Sequence, residues 1–159
     1  MPASSRRIFA THQVWFTKVA RVPMAYAYAW FTDYRSDDGK FSKSRPHYRV
    51  IKVARDRVVR IRTSSGSRGT PAVAVEIVRL MPPDRWHVDQ IDETDLAAVD
   101  YRLTRLGPSR TRVELRILER WLSPKHPMRA DLLRGDSAYW DRLVAALEDH
   151  HVRGRPAVG

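Results

Sequence analysis

The chain has 159 residues, 43% apolar and 30% charged, which suits a single folded domain with its own core. It has no cysteine, which excludes a disulfide framework, a thiolate nucleophile and a thiolate metal ligand. The net charge of +11 comes from 29 basic residues, only five of them lysine, spread along the chain without a basic block or a recognisable nucleic-acid motif, so nucleic acid is not the expected partner.

Residues 1–7 read as a loose start. The stretch after Arg6-Arg7 is too polar for a secretory core, and no apolar run approaches the roughly 20 residues that span a bilayer. The expected compartment is the cytoplasm. Phe9–Val22 reads as a long strand with Val14 and Phe16 on one side and Trp15 and Val19 on the other, hence partial cover on both. Pro23 then suits the first turn of a short helix over Met24–Phe31. Asp33–Phe41 reads as a break that has room for one more helical turn. Its Asp37-Asp38-Gly39 lacks the regular ligand spacing and closing Glu of a calcium loop and reads as a surface turn.

From His47 onward strand follows strand: His47–Arg55, Arg57–Ser64, Thr70–Met81, Trp86–Asp92, Leu96–Leu106 and Arg110–Trp121. Ser64–Gly69 is a flexible loop and Pro82-Pro83-Asp84 a stop. In the second of these strands the expected inner face is Val59, Ile61 and Thr63, with Arg60 and Arg62 outside. In the third it is Val73, Val75 and Ile77. In the last two, odd positions are apolar on both (Val99, Tyr101, Leu103; Val113, Leu115, Ile117), so the hairpin centres on residue 108 with Gly107-Pro108-Ser109 as its loop.

Ser123–Val152 has Leu132, Leu133, Trp140, Leu143, Val144 and Leu147 at steps of three and four, the pattern of a long one-sided helix that must lie against something large. Ser123-Pro124 offers an N-cap and first-turn proline, with Pro127 a later alternative start, and Gly154 and Pro156 end it. The domain is expected to span 8–153, with 154–159 a loose end.

Strand, short helix, six strands, long helix resembles the helix-grip fold of the Bet v 1-like superfamily, also called START or SRPBCC. The resemblance is carried by Val22-Pro23 running into Ala27-Tyr28-Ala29-Trp30-Phe31-Thr32-Asp33, by the strand start at Pro83-Asp84-Arg85-Trp86, by the Gly107…Thr111-Arg112-Val113 hairpin, and by Trp140…Leu143…Leu147-Glu148. It implies an α+β domain: a seven-stranded curved antiparallel sheet (β-α-α-β6-α) wrapped around the last helix, with a cavity between them. Members bind apolar molecules or lipids there; some are polyketide cyclases, aromatases or hydrolases, and fold alone does not choose among these.

The expected lining is Val59, Ile61, Val73, Val75, Trp86, Val88, Gln90, Val99, Tyr101, Val113, Leu115 and Ile117, with Trp140, Leu143 and Val144 from the helix. Gln90 and Tyr101 are the expected uncharged polar contacts. The candidates for acid–base chemistry are Glu76, on a face with Ala74, Val78 and Leu80, and the pair His87 and Asp89, which by parity point away from the core together with Asp100. An internal Glu76 or an internal His87–Asp89 pair would favour a cyclase-type enzyme over a binding protein. His12, His47, His126 and His150-His151 lack ligand spacing, so neither metal nor other cofactor is expected. The expected partner is an apolar small molecule or lipid, the chain being a monomer or small homo-oligomer. A third reading is a protein- or polyanion-binding surface in which Arg60, Arg62, Arg112 and Arg116 share one sheet face, allowing weak contact with anionic surfaces.

Overall fold

The computed structural model describes residues 7–65 and 71–154. Seven strands form one antiparallel sheet in the order β1-β7-β6-β5-β4-β3-β2: β1 Ala10–Ala20, β2 His47–Ala54, β3 Arg57–Ser65, β4 Pro71–Met81, β5 Arg85–Ile91, β6 Asp95–Gly107 and β7 Arg110–Trp121. Helix α1, Met24–Thr32, and a 3-10 turn, Asp38–Phe41, connect β1 to β2; α2, Arg129–Arg153, follows β7. The sheet is a meander except that the first strand pairs with the last. The Ser64–Gly69 loop and the two chain ends lie largely outside the described residues. No helix among the described residues is long and apolar enough to cross a membrane.

The β6–β7 register agrees with the parity argument. Val99 opposes Ile117, Tyr101 opposes Leu115 and Leu103 opposes Val113. A bulge between Arg105 and Gly107 then lets Gly107 pair with Arg110, so the turn is the two residues Pro108-Ser109 rather than three.

Helix α2 starts at Arg129, and Ser123 does not cap it: its hydroxyl accepts the Lys125 amide at 3.2 Å instead. The residue before a proline is pushed out of the α region, so His126 ahead of Pro127 keeps the helix from beginning sooner. Side chains bolt α2 to β1. Lys18 Nζ reaches Ser137 Oγ at 2.7 Å and Asp141 Oδ1 at 2.6 Å, and the Arg21 amide donates to Glu148 Oε1 at 2.7 Å. Beneath them Val14, Val113, Leu115 and Leu147 form a closed core, with Thr111 Oγ1 donating to the Val22 carbonyl at 2.9 Å.

The outer side of the sheet is uncovered, contrary to the partial cover expected for β1: Trp15 is 60% exposed and Val19 is exposed with it. The largest difference lies in β3 and β4. Val59, Ile61, Val73 and Val75, all expected in the cavity, stand on this outer side, with Ile77 39% exposed beside them. Arg60, Arg62, Ala74, Glu76 and Val78 point inward instead. Parity reading puts the more apolar face of a strand inside. Here the inner face borders a solvent-reachable pocket and holds Arg60 and Glu76 as an ion pair.

Candidate functional site

Cross-strand register sorts the inner face of the sheet into rows running perpendicular to the strands. One row is aromatic and aliphatic: Leu80, Trp86, Tyr101, Leu115 and Phe16. The next is almost wholly branched aliphatic: Val58, Val78, Val88, Val99, Ile117 and Val14. The third is polar: Arg60, Glu76, Gln90, Ala97, Glu119 and His12. All three follow from the period of two along each strand together with the antiparallel registers.

Between these rows, α2 and the 3-10 turn lies an open cavity of about 900 Å³. Of the expected lining, Trp86, Val88, Gln90, Val99, Tyr101, Leu115, Ile117, Trp140 and Leu143 border it. Val113 is sealed in the core, and Val144 packs against that core without bordering the cavity. The apolar wall is an aromatic cluster. Trp86 and Tyr101 stack at 4.6 Å with planes 5° apart, Trp140 lies 5.6 Å from Tyr101, and Phe31 from α1 sits 5.1 Å from Trp140. Each such pair adds about 0.5–1.5 kcal/mol beyond area burial. Burial raises the Tyr101 phenol well above its ordinary range, so it is a neutral hydrogen-bonding group.

The polar end joins Glu76, an acid–base candidate in the sequence, to Arg60, which was expected on the outer face, and to Tyr34, Tyr48, Glu119 and Asp136, which the sequence reading did not single out. Arg60 Nε donates to Glu76 Oε2 at 2.7 Å and Nη2 approaches the same oxygen at 2.5 Å. Arg60 Nη1 also holds Asp38 of the 3-10 turn at 3.2 Å. The guanidinium lies over the Tyr34 ring at 4.7 Å and the Tyr48 ring at 4.2 Å. Burial alone would lower the Arg60 pKa, but Glu76, Tyr48 and Tyr34 outweigh it and the net shift is upward. The Asp37-Asp38-Gly39 segment is therefore no simple surface turn: Gly39 is buried, and Asp38 ties the segment to the sheet. Farther along the row, burial with Asp136 and Asp95 nearby pushes the Glu119 carboxyl up to about 7. Burial raises Asp136 of α2 to about 6. Both carboxylates border the cavity.

Two signals in the sequence pointed here. Glu119 continues the inward parity of Val113, Leu115 and Ile117. Glu76, flanked by Ala74 and Val78, is a carboxylate on an apolar face and demands a cationic partner. Which of many arginines answers it depends on the β3–β4 register, which the loop composition does not specify.

His87 and Asp89 lie on the outer side and do not enter the cavity. His87 Nδ1 meets Asp100 Oδ1 at 2.7 Å and Nε2 meets Asp89 Oδ1 at 3.0 Å. Partial burial would lower the imidazole pKa, but the two carboxylates win and raise it. The four-arginine face is also corrected: Arg60 and Arg62 point inward, whereas Arg112 and Arg116 alternate with the inward Val113 and Leu115 and so face outward.

No protein-family model matches the sequence, and no curated protein sequence matches it. Solved structures do. The aromatase/cyclase Zhui from Streptomyces sp. R1128 superposes with a TM-score of 0.66 over 94% of this chain and 99% of its own, at 11% identity. A START superfamily protein from Mycobacterium smegmatis gives 0.64 over 87% and 96%, at 12% identity. Ara h 8.0201 gives 0.65 over 87% and 98%, at 7% identity. The fold is the Bet v 1-like/START helix grip. Within that helix grip, α2 is the gripped element, and the sheet's aromatic, aliphatic and polar rows are the surface turned towards it.

Proposed function

We propose that residues 8–153 form one binding domain for an amphipathic small molecule or lipid, held between the sheet and α2. The apolar body lies against Trp86, Tyr101, Trp140 and Leu143, and its polar group meets the row containing Gln90 and Glu119. The observation that carries this reading is the banding of the cavity wall: an aromatic row and an aliphatic row, then a polar row, on one concave surface.

The experiment is native mass spectrometry of protein purified without added ligand, followed by organic extraction, with titration of an apolar fluorescent probe into the stripped protein. One bound amphiphile or one saturable probe site, weakened in Gln90→Leu, is the expected result. An empty protein that takes no probe refutes the reading.

A cyclase or aromatase of the kind named for the Streptomyces structure is the second reading, favoured by Glu76 facing inward. Against it, Glu76 is locked to Arg60 and the His87–Asp89 pair lies outside. Turnover of a poly-keto substrate abolished by Glu76→Gln, with the fold intact, would decide for the enzyme.

A further inference from the structure

The outer side of β2–β5 carries a contiguous aliphatic patch that the cavity does not use. Ile61 pairs across to Val75 and Val75 to Ile91; one row over, Ile51 pairs to Val59 and Val59 to Ile77. These six β-branched side chains share one side, and Ile51, Ile77 and Ile91 are 41%, 39% and 45% exposed. Isolated exposed apolar residues need no explanation, but a patch continuous across four strands does.

Its borders are basic on β2–β4, while on β5 the row through Ile77 ends at Asp89. Arg49 opposes Ile61 on β2, and Arg57 and Arg79 oppose each other in the row beyond Val59 and Ile77. All three are exposed, and none has a carboxylate within ion-pair distance among the described residues. The neighbouring acids, Asp89 and Asp100, are both occupied by His87. A second copy stacked face to face would bring unpaired arginines against unpaired arginines, with like charge opposing the apolar gain. An anionic surface meets both features at once.

We infer that this outer sheet face docks the protein on an anionic lipid bilayer, the arginines on lipid phosphates and the Ile and Val side chains against the interfacial acyl boundary. The orientation keeps the cavity free, because the cavity opens on the other side of the sheet, past exposed Lys40, Lys43 and Ser44. The contact is peripheral: short aliphatic side chains on a curved sheet reach only the interface, and a few arginines add attraction that salt screens.

The test is co-sedimentation of the full chain with phosphatidylcholine vesicles, with and without about one-third phosphatidylserine, at low and physiological salt. The expected result is binding to the mixed vesicles only, weakened by salt. It should fall at least about tenfold in Arg57→Glu/Arg79→Glu and clearly in Ile61→Ser/Ile77→Ser. Lys125→Glu/Arg134→Glu, which changes the net charge equally away from this face, should retain most of it. Circular dichroism and the fluorescent probe titration establish that each variant is folded with its cavity intact. No binding to mixed vesicles overturns the proposal, as does equal loss in both charge-reversal pairs, which would assign attraction to net charge alone. A concentration-dependent dimer abolished by Ile61→Ser/Ile77→Ser would overturn it in favour of a second copy. None of these outcomes depends on what fills the cavity.

Discussion

Arg60 is held on four sides, by Glu76, Asp38 and the faces of two tyrosines. Its side chain is 14% exposed and that of Glu76 5%. A buried pair of this kind is costly to break from one side, because the survivor remains a desolvated charge. Arg60→Met is therefore expected to cost roughly 3–5 kcal/mol in urea unfolding. The double variant Arg60→Met/Glu76→Leu should recover much of that loss, although Asp38 then loses its partner. A double variant as unstable as the single one would mean that the cost came from lost packing on Tyr34 and Tyr48. The carboxyl groups along the same row make a separate prediction. Glu119 and Asp136 have folded-state pKa values of about 7 and about 6, above the ordinary 4.5 and 3.8. The folded chain thus binds protons more tightly than the unfolded chain, so these groups favour folding at low pH and lose that contribution as pH rises from about 4 to about 7. Unfolding midpoints measured at about pH 5 and pH 8 should show this decline, and Glu119→Gln should flatten it. An unchanged slope in the variant assigns the decline to other groups.

Gly39 shows how a short element can depend on one missing atom. A Cβ at this buried position would overlap the backbone carbonyl of Pro46, and no flexible side chain is there to yield. Gly39→Ala should displace the 3-10 turn and with it Asp38. The expected loss is about 1–3 kcal/mol with a weaker probe site, read from urea unfolding and fluorescence titration. Unchanged stability would mean that the turn shifts freely. The sequence composition around Gly39 is that of any exposed turn, and the demand for glycine comes from a backbone seven residues away. Elements with strong local signals were legible: α1 after Pro23, the alternating β6 and β7, and the register between them. For the cavity, β5, β6, β7 and α2 supplied the expected wall residues because their inner faces are also their apolar ones. In β3 and β4 that equation fails. Val59, Ile61, Val73 and Val75 are the apolar sets, yet the inward face carries Arg60 and Glu76, since paired charge can be buried and aliphatic surface left outside at moderate cost. No pattern confined to one strand contains that information. It resides in the pairing of Arg60 with a residue on the next strand and with Asp38, twenty-two positions before it.

At the scale of the whole molecule the two sides of the sheet are built differently. The inner side is graded from aromatic to polar and encloses the cavity with α2. The outer side has an aliphatic centre between arginines. If both proposals hold, occupancy of the cavity and attachment to vesicles should be separable: Gln90→Leu should weaken the probe site and leave sedimentation unchanged, and Arg57→Glu/Arg79→Glu should do the reverse. Coupled loss in both assays would mean that one face reports on the other through the curvature of the sheet. The pairing of β1 with β7 has a further consequence. Ala10–Ala20 cannot find its partner, Thr111–Trp121, until roughly a hundred more residues have been made. At about 5–20 residues per second on the ribosome, the first strand waits some seconds with its backbone unpaired and its inward side chains Val14 and Phe16 uncovered. Nascent chains stalled before Arg110 should therefore leave this segment open to protease and to holding chaperones. Chains carrying a C-terminal linker long enough to bring α2 out of the exit tunnel should protect it, so the emergence of β7 and α2 closes an otherwise sticky strand.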